Sequence, residues 1–576
     1  MRIAVALVVG ALPTALLAFG VGQFVLNHFY ARAPYLLDSA LLSKVVYRDG
    51  LALALPPIAV DYASSMYEVH VTPLLSVFSA LSYLAPVGRI EWFAFVQAVL
   101  HVPIGIAVYV VASRLDMSVA RAAAAAIAAL AFSFCGIVLW DVAYPHFEIA
   151  TAGLTCVAIG AIVSGRTRTA WTCVVLAALV KQDGGLHIAT AIAPLWLLRS
   201  RPALIAMRRQ LVAMIAVAIG ITVLEVVLQR LIWHPFPRFT QAYLGTPPFA
   251  HLTCELLRTR LARLAEIDQV LWYPVIATAL LAAVRRDPAY LLGWASLVPW
   301  FTLNLIAAEE AKSAFVGYMM VPFLVGLFWV YAYGARVAPR PLPGLTVEAA
   351  FALACIASTL GFHRGQPYQF RSTVRDLWRS HVHDRDAVTA FVDALRTHRA
   401  DLGVLSVDYA VAALGIEWFA LADRWVSGRP TDAIAFHEQS QERSQLLPDV
   451  LSFGLDTCVR AHRTHFVVCM RPAIARDIST ALASPTFPAI ALTVRVAGDD
   501  LAGTLGVLPR GHYAWTMMFD ADAPARLEVL RDDGASLGVA TGTGSVSLEF
   551  DADGTTDYRL AAPHLVVTGA RIARLR

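Results

Sequence analysis

The sequence predicts an α-helical polytopic membrane bundle of about eleven spans, followed by a water-soluble α/β region and a small all-β sandwich. Three observations carry that prediction. Of 576 residues, 58% are hydrophobic and only 15% charged, against about 25% charged in soluble domains. So much apolar side chain exceeds what one water-soluble core can enclose, and lipid is the natural solvent for the excess. Apolar runs recur as far as residue 361 with short basic clusters between them, after which the composition turns charged and then strand-like. The net charge of +4 is too small to argue for nucleic acid, and the position of the basic residues reports topology instead.

The predicted spans are 3–26, 90–112, 119–140, 149–163, 169–181, 184–198, 210–231, 269–284, 289–306, 314–335 and 344–361. The first carries a single Arg ahead of an apolar run longer than the roughly 7–15 residues of a signal-peptide core, so it reads as a retained span. With Arg2 inside, the clusters Arg114/Arg121, Arg166/Arg168, Arg199/Arg201/Arg208/Arg209, Arg285/Arg286 and Arg336/Arg340 all fall on the cytoplasmic side. The stretch 169–198 reads as two short spans meeting at Lys181-Gln182-Asp183-Gly184-Gly185, where paired glycines suit a turn. Taken as one tilted span, it would place the four arginines of 199–209 outside and invert everything after them. The stretch 71–86 is apolar but short, starts at Thr72-Pro73 and ends at Pro86. It reads as a helix in the outer interface, within a large first outer loop, 27–89. The membrane domain is therefore 1–361, with a cytoplasmic N-terminus.

An odd number of spans puts the C-terminus outside. Residues 362–487 form an extracytoplasmic α/β region, in which Gly403-Val404-Leu405-Ser406-Val407 and His465-Phe466-Val467-Val468 read as short buried strands. Residues 488–576 alternate apolar runs with Gly and Asp turns (LTVRVAG, YAWTMMFD, RLEVLRDDG, VSLEFDADG, HLVVTG), the pattern of a β-sandwich. Of seven cysteines, Cys135, Cys156, Cys173 and Cys355 lie in apolar runs and suit buried free thiols. Cys458 and Cys469 lie in the soluble region, where an oxidising compartment would allow a disulfide.

This topology places nearly all membrane-proximal acids on the outer side: Asp38, Asp49, Asp61, Glu68, Asp141, Glu148, Asp183, Glu309 and Glu310, joined by His70, His146, Lys181 and Lys312. The inner loops carry Arg and little acid beyond Asp116 and Asp287. Polar groups gathered at one end of a bundle point to a site at that membrane surface. Any one of them also suits an ordinary polar loop or helix end. There is no Gly-rich nucleotide loop of the P-loop kind, which argues against ATP-driven work, and no HExxH or paired CxxC metal motif.

Four segments carry a family resemblance. Tyr35-Leu36-Leu37-Asp38-Ser39-Ala40-Leu41 runs on to Arg48-Asp49-Gly50 in the first outer loop, and Tyr67-Glu68-Val69-His70-Val71-Thr72-Pro73-Leu74-Leu75 leads into the interfacial helix. Trp140-Asp141-Val142-Ala143-Tyr144-Pro145-His146-Phe147-Glu148 follows the third span, and Lys181-Gln182-Asp183 lies at the later break, with Tyr318 and Pro322 in a later span. Over roughly residues 1–420 the chain resembles the GT-C superfamily of membrane glycosyltransferases, and within it the DUF2079 group of predicted membrane proteins. That group's Lys-Glu-Asp appears here as Lys-Gln-Asp.

The resemblance implies a polyprenyl-phosphate sugar donor, a glycan or lipid acceptor and chemistry on the outer face of a bacterial inner (plasma) membrane, in the cell envelope. Such chemistry needs a base near the acceptor hydroxyl and positive charge near the leaving phosphate. Asp38 is the expected base, although its position also suits a helix N-cap. Asp61 is the second candidate. His70 is expected to position the acceptor or contact phosphate, or else to be a satisfied structural histidine. Lys181 is expected to neutralise the donor phosphate, or else to snorkel to the interface. Arg364 and Arg371 are further phosphate candidates. His146, Glu148 and Asp183 are candidate ligands of a divalent cation, Mg or Mn; His146 and Glu148 would share a face in an extended segment but not in a helix. Two other readings stand beside this one. A secondary transporter would place charges near the bilayer midplane and show internal repeats, which the hydropathy pattern lacks. A non-catalytic scaffold or receptor would use the C-terminal β-module to bind a partner.

Overall fold

The computed structural model describes residues 2–30, 37–54, 65–233, 238–315, 317–339, 344–379, 382–416, 431–438, 450, 454–455, 457–462, 464–488, 494–497, 500–507, 511–519, 525–531, 536–542, 545–552, 557–563 and 567–574. The chain divides into two compact units, Met1–Leu26 with Leu41–Ser380, and Asn27–Ala40 with His381–Arg576.

The first unit is helical and has the composition of an integral membrane bundle. Among the described residues five helices are long and apolar enough to cross a membrane: Arg2–Tyr30, Arg89–Ala112, Pro202–Trp233, Gly317–Arg336 and Thr346–Gly365. Two bent pairs, Val119–Ser133 with Gly136–Val142 and Cys254–Glu266 with Gln269–Arg285, raise the number to seven if each is one span. This is fewer than the eleven runs of the sequence pattern. The difference lies partly in helices such as Glu148–Val163, Thr167–Ala178 and Gly184–Leu197, of 16, 12 and 14 residues. At about 1.5 Å per residue each falls short of a hydrocarbon layer of about 30 Å.

Small residues set how closely these helices approach, as expected where apolar surfaces gain nothing by leaving lipid. An added Cβ on Gly153 would lie 3.0 Å from Pro103 of the Arg89–Ala112 helix. One on Gly136 would lie 2.1 Å from the Ser358 carbonyl oxygen. The Phe323–Arg336 helix is buried over nearly its whole length, and its Phe328 and Tyr331 pack ring on ring with Phe132 and Phe351 of neighbouring helices.

The stretch 169–198 is two helices. Thr167–Ala178 ends before Lys181, and Gly184–Leu197 begins after Asp183. The Gly184 N–H closes the turn on the Lys181 carbonyl at 2.7 Å. Gly185 lets the second helix rest directly on Arg208–Leu228: its added Cβ would lie 2.0 Å from the Ala218 carbonyl oxygen and 2.6 Å from Thr222 Oγ1. The apolar stretch after His70 folds as Pro73–Leu81 and a 3-10 turn, Ser82–Leu84, with Pro at the first helical turn, where a missing N–H is harmless.

The second unit contains β1 (Leu405–Val407), β2 (Ala433–His437), β3 (Thr457–Arg460), β4 (Phe466–Met470) and β5 (Thr486–Pro488) in one sheet of order β1-β2-β4-β3-β5. β1 and β2 are parallel and the other pairs antiparallel. β2 and β4 are buried at every residue, which is why they read as unbroken apolar runs. Cys458 and Cys469 face each other across β3 and β4 and are joined by a disulfide. β6 (Val494–Ala497), β7 (Asp500–Val507), β8 (Gly511–Phe519), β9 (Ala525–Arg531), β10 (Ser536–Gly542), β11 (Ser545–Ala552), β12 (Asp557–Pro563) and β13 (Val567–Arg574) follow. They make two antiparallel sheets, β10-β9-β12-β7-β6 and β11-β8-β13, whose described buried residues include Tyr513, Val529, Val546 and Phe550.

Replacing Gly185 by Ala forces a methyl against main-chain oxygen, and overpacking of this kind costs about 1–3 kcal/mol. The variant is expected to unfold at lower temperature in detergent. An unchanged melting curve would show that the two helices do not meet this closely.

Candidate functional site

The break between Thr167–Ala178 and Gly184–Leu197 delivers a lysine to the end of the apolar bundle. Lys181 is only 6% exposed. Its ammonium lies 3.0 Å from Glu148 Oε1 and 3.6 Å from Asp183 Oδ2. An ammonium removed from water costs several kcal/mol unless carboxylates offset it, and here two do. Glu148 opens the Glu148–Val163 helix and Asp183 precedes Gly184–Leu197. Each carboxylate therefore sits at a helix N-terminus, the end that favours negative charge. His187, one turn into the second helix, places Nε2 3.8 Å from Asp183.

His146 Nδ1 contacts the other Glu148 oxygen. Phe147 between them has helical φ −89° and ψ −15°, so the contact does not depend on an extended segment; His146 lies outside the helix and folds back onto its first residue. The His146 ring stacks on Tyr318 at 4.2 Å and on Phe147 at 4.4 Å. The Lys312 ammonium donates to the Tyr318 hydroxyl at 3.3 Å. Gly317, at φ +57°, brings the chain against the Tyr144 ring, where an added Cβ would approach to 2.7 Å.

His70 joins from the first loop. Gln182 Oε1 accepts from the Val71 N–H at 3.0 Å, and Gln182 Nε2 lies 3.1 Å from His70 Nδ1. Gln229, near the C-terminal end of the long Pro202–Trp233 helix, donates to the carbonyls of Tyr67 and Glu68 at 2.9 and 3.3 Å. Tyr67 stacks on Trp233 at 4.6 Å and meets the Ser76 hydroxyl with its own. Burial, then the charges of Lys181 and Lys312, hold His146 well below the usual histidine range. Burial, Lys181, His146 and Lys312 do the same to His70. Both rings are thus neutral near pH 7.

The structure brings together His70, His146, Glu148, Lys181 and Asp183. Arg364 is exposed and reaches the Tyr273 hydroxyl at 3.5 Å, and Arg371 is exposed on the Pro367–Asp376 helix; neither is among the partners of this group. Asp61 and the side chain of Asp38 lie outside the described residues. Among the described residues no group of three His, Cys, Asp or Glu side chains is placed to hold a metal ion. This differs from the Mg or Mn set expected on His146, Glu148 and Asp183: the Lys181 ammonium supplies the counter-charge that a divalent ion would. Three participants escape the sequence reading. Gln182 and Gln229 are neutral and act through contacts distant in the chain. Glu225 sits in an apolar run, yet it is 4% exposed and both carboxyl oxygens lack a hydrogen-bond partner among the described residues. The available signal is its spacing from Leu211, Met214 and Ala218, the buried stripe of that helix.

No family model matches the sequence, and no curated protein matches it. Two solved structures align along nearly the whole chain. The arabinofuranosyltransferase AftD from mycobacteria is 12% identical, with 98% of this chain and 59% of that chain covered and a TM-score of 0.36. The arabinosyltransferase EmbB from Mycobacterium smegmatis is 13% identical, with 97% and 63% covered and a TM-score of 0.31. This chain therefore spans about three fifths of the length of either. The likeness is loose, and the chemistry of the site stands on this chain's own residues.

Lys181→Met leaves Glu148 buried without its cation, and such a loss costs about 3–5 kcal/mol. The Lys181→Met/Glu148→Leu double variant is expected to melt above the single one; a double variant that melts lower would show that the pair is not coupled. The histidines give a separate pH signature. Their folded pKa values lie below the ordinary 6.5, so below that pH the unfolded chain binds more protons than the folded one. Their contribution is complete above about pH 6.5 and is lost as pH falls below it. Unfolding in detergent is expected to become easier from pH 7 to pH 5, and less steeply so in His146→Gln.

Proposed function

We propose that this chain is a membrane glycosyltransferase of the GT-C type, which moves a sugar from a polyprenyl-phosphate donor to a glycan or lipid acceptor on the extracytoplasmic side. The observation that carries the proposal is the placement of Lys181, Lys312, His70 and His146 around one polar centre at the ends of apolar helices. A lipid-linked sugar phosphate has this division of chemistry: its tail belongs in hydrocarbon and its phosphate beside cations and N–H donors. Asp38 acts as base, with Asp61 as the alternative. The acceptor oxygen gives its proton to the carboxylate and bonds to the anomeric carbon. The bond from that carbon to the phosphate oxygen breaks, and polyprenyl phosphate leaves with the electron pair. Lys181 and Lys312 balance its charge and neutral His70 donates a hydrogen bond to it, with Arg364 and Arg371 as outer phosphate contacts. Asp183, Glu148 and His146 hold the lysine and the rings in place.

About eleven membrane-crossing segments, a cytoplasmic N-terminus and domains 1–361, 362–487 and 488–576 complete the reading. The Cys458–Cys469 disulfide favours an oxidising compartment for the C-terminal region. A sugar-holding role for the β-sandwich rests on fold-level analogy. Glu225 favours a second reading, a secondary transporter, because a buried unpaired carboxyl inside an apolar helix is a common mark of a proton or ion path.

The test uses the full chain in nanodiscs with a panel of polyprenyl-phosphoryl monosaccharides and membrane glycan extract, products being read by mass spectrometry. Asp38→Asn is expected to lower transfer by about 100-fold or more, the scale of general-base loss, with an unchanged melting temperature. Transfer that survives the substitution removes Asp38 from the mechanism. Substrate flux across sealed vesicles without any chemical product would establish the transporter instead.

A further inference from the structure

We infer that Gln182 is a positioning residue that fixes the His70 proton on Nε2, so that His70 offers a neutral N–H donor, and not a base, to an anionic oxygen of the ligand. The assignment follows from which atoms can donate. The Val71 N–H can only donate, so the Gln182 atom 3.0 Å from it is the amide oxygen. The amide NH2 of Gln182 is then the group 3.1 Å from His70 Nδ1. An NH2 group has no acceptor capacity in such a pair, so Nδ1 must present its lone pair. A neutral imidazole carries one ring proton, which is left on Nε2.

The geometry is braced on both sides. The His70 N–H donates to the Met66 carbonyl at 2.6 Å, and the Leu74 N–H to the Leu179 carbonyl at 3.3 Å. Gln229 holds the carbonyls of Tyr67 and Glu68, and the Phe147 ring lies edge-on to His70 at 6.2 Å. The charged and titratable groups acting on His70 are Lys181, Lys312 and His146, from three other segments. Together with burial they keep the ring neutral, so Nδ1 has no competing proton. A neutral donor beside two ammonium groups suits a phosphate oxygen. That ligand class rests on the glycosyltransferase reading; the tautomer does not.

The test is nitrogen NMR of the full chain, labelled with 15N-histidine, in nanodiscs, with the His70 signals assigned by their loss in His70→Asn. In wild type an unprotonated Nδ1 and a protonated Nε2 are expected from about pH 6 to pH 8. Gln182→Glu is isosteric and keeps an oxygen for Val71. Its second oxygen accepts instead of donating, so the His70 proton should move to Nδ1 or the ring should become doubly protonated. A wild-type ring protonated on Nδ1, or a Gln182→Glu ring identical to wild type, overturns the inference. Farnesyl phosphate should shift the Nε2–H signal in wild type and bind about tenfold or more weakly in Gln182→Glu where the proton has moved to Nδ1, the scale of one hydrogen bond to a charged group; a doubly protonated ring keeps its Nε2–H and should retain binding. An equal shift with inorganic phosphate supports the anion donor while removing support for a lipid-linked ligand. No shift with either phosphate overturns the donor role. Since the tautomer is read without turnover, a chain that transfers no sugar yet shows this proton position refutes the glycosyltransferase reading alone.

Discussion

The burial of one lysine constrains one end of the helical bundle. Lys181 can stay out of water only while carboxylates stand beside it, and they come from the starts of two different helices, at Glu148 and Asp183. That requirement fixes where three helix ends meet. It also accounts for the paired glycines that follow: Gly184 lets the chain turn past Ala177, and Gly185 lets the next helix lie against main-chain oxygen of the long lipid-facing helix. Aliphatic packing alone would leave these helices free to slide, whereas a buried ion pair penalises any displacement.

Around that pair, neutral groups do most of the connecting. Residues 66–71 carry partly buried main-chain groups that must find partners, and two glutamine side chains distant in the chain supply them: Gln182, in the turn before Gly184–Leu197, at Val71, and Gln229 at Tyr67 and Glu68. The same contacts orient His70. On the other side, Tyr318 serves as a stacking surface for His146 and as an acceptor for Lys312. The result is a centre with positive charge, neutral ring donors and carboxylates already engaged, at the margin of apolar helices. This combination suits an anionic head group on a lipid better than a freely soluble anion, because both solvents that such a molecule needs lie within reach.

The second unit is stabilised by other means. Its first sheet is buried on β2 and β4 and tied by a disulfide between facing residues of β3 and β4. Its later strands pair in antiparallel register with polar residues on one face, such as His512 set beside Glu549 and Asp551. Paired strands and a disulfide hold this unit, in contrast to the close glycine contacts of the helical unit.

The sequence by itself determined what composition and period can encode. Apolar run length located the Arg89–Ala112 and Gly317–Arg336 helices to within a few residues, alternation with turn residues marked β6, β8, β9, β11 and β13 but not β7, β10 and β12, and the glycine pair at 184–185 located the break between two helices. The spacing of arginines also placed His70, His146, Glu148, Lys181 and Asp183 in one wider set of polar groups expected on the same side, and the structure brings these five together. Tertiary structure decided the rest. The bends that divide Val119–Ser133 from Gly136–Val142 and Cys254–Glu266 from Gln269–Arg285 do not show in the hydropathy pattern. The carboxylates that flank Lys181, the orientation of the Gln182 amide and the burial of Glu225 all depend on atoms far apart in the chain. A sequence pattern reports the solvent a residue prefers. Which donor faces which acceptor is set only when the helices have packed.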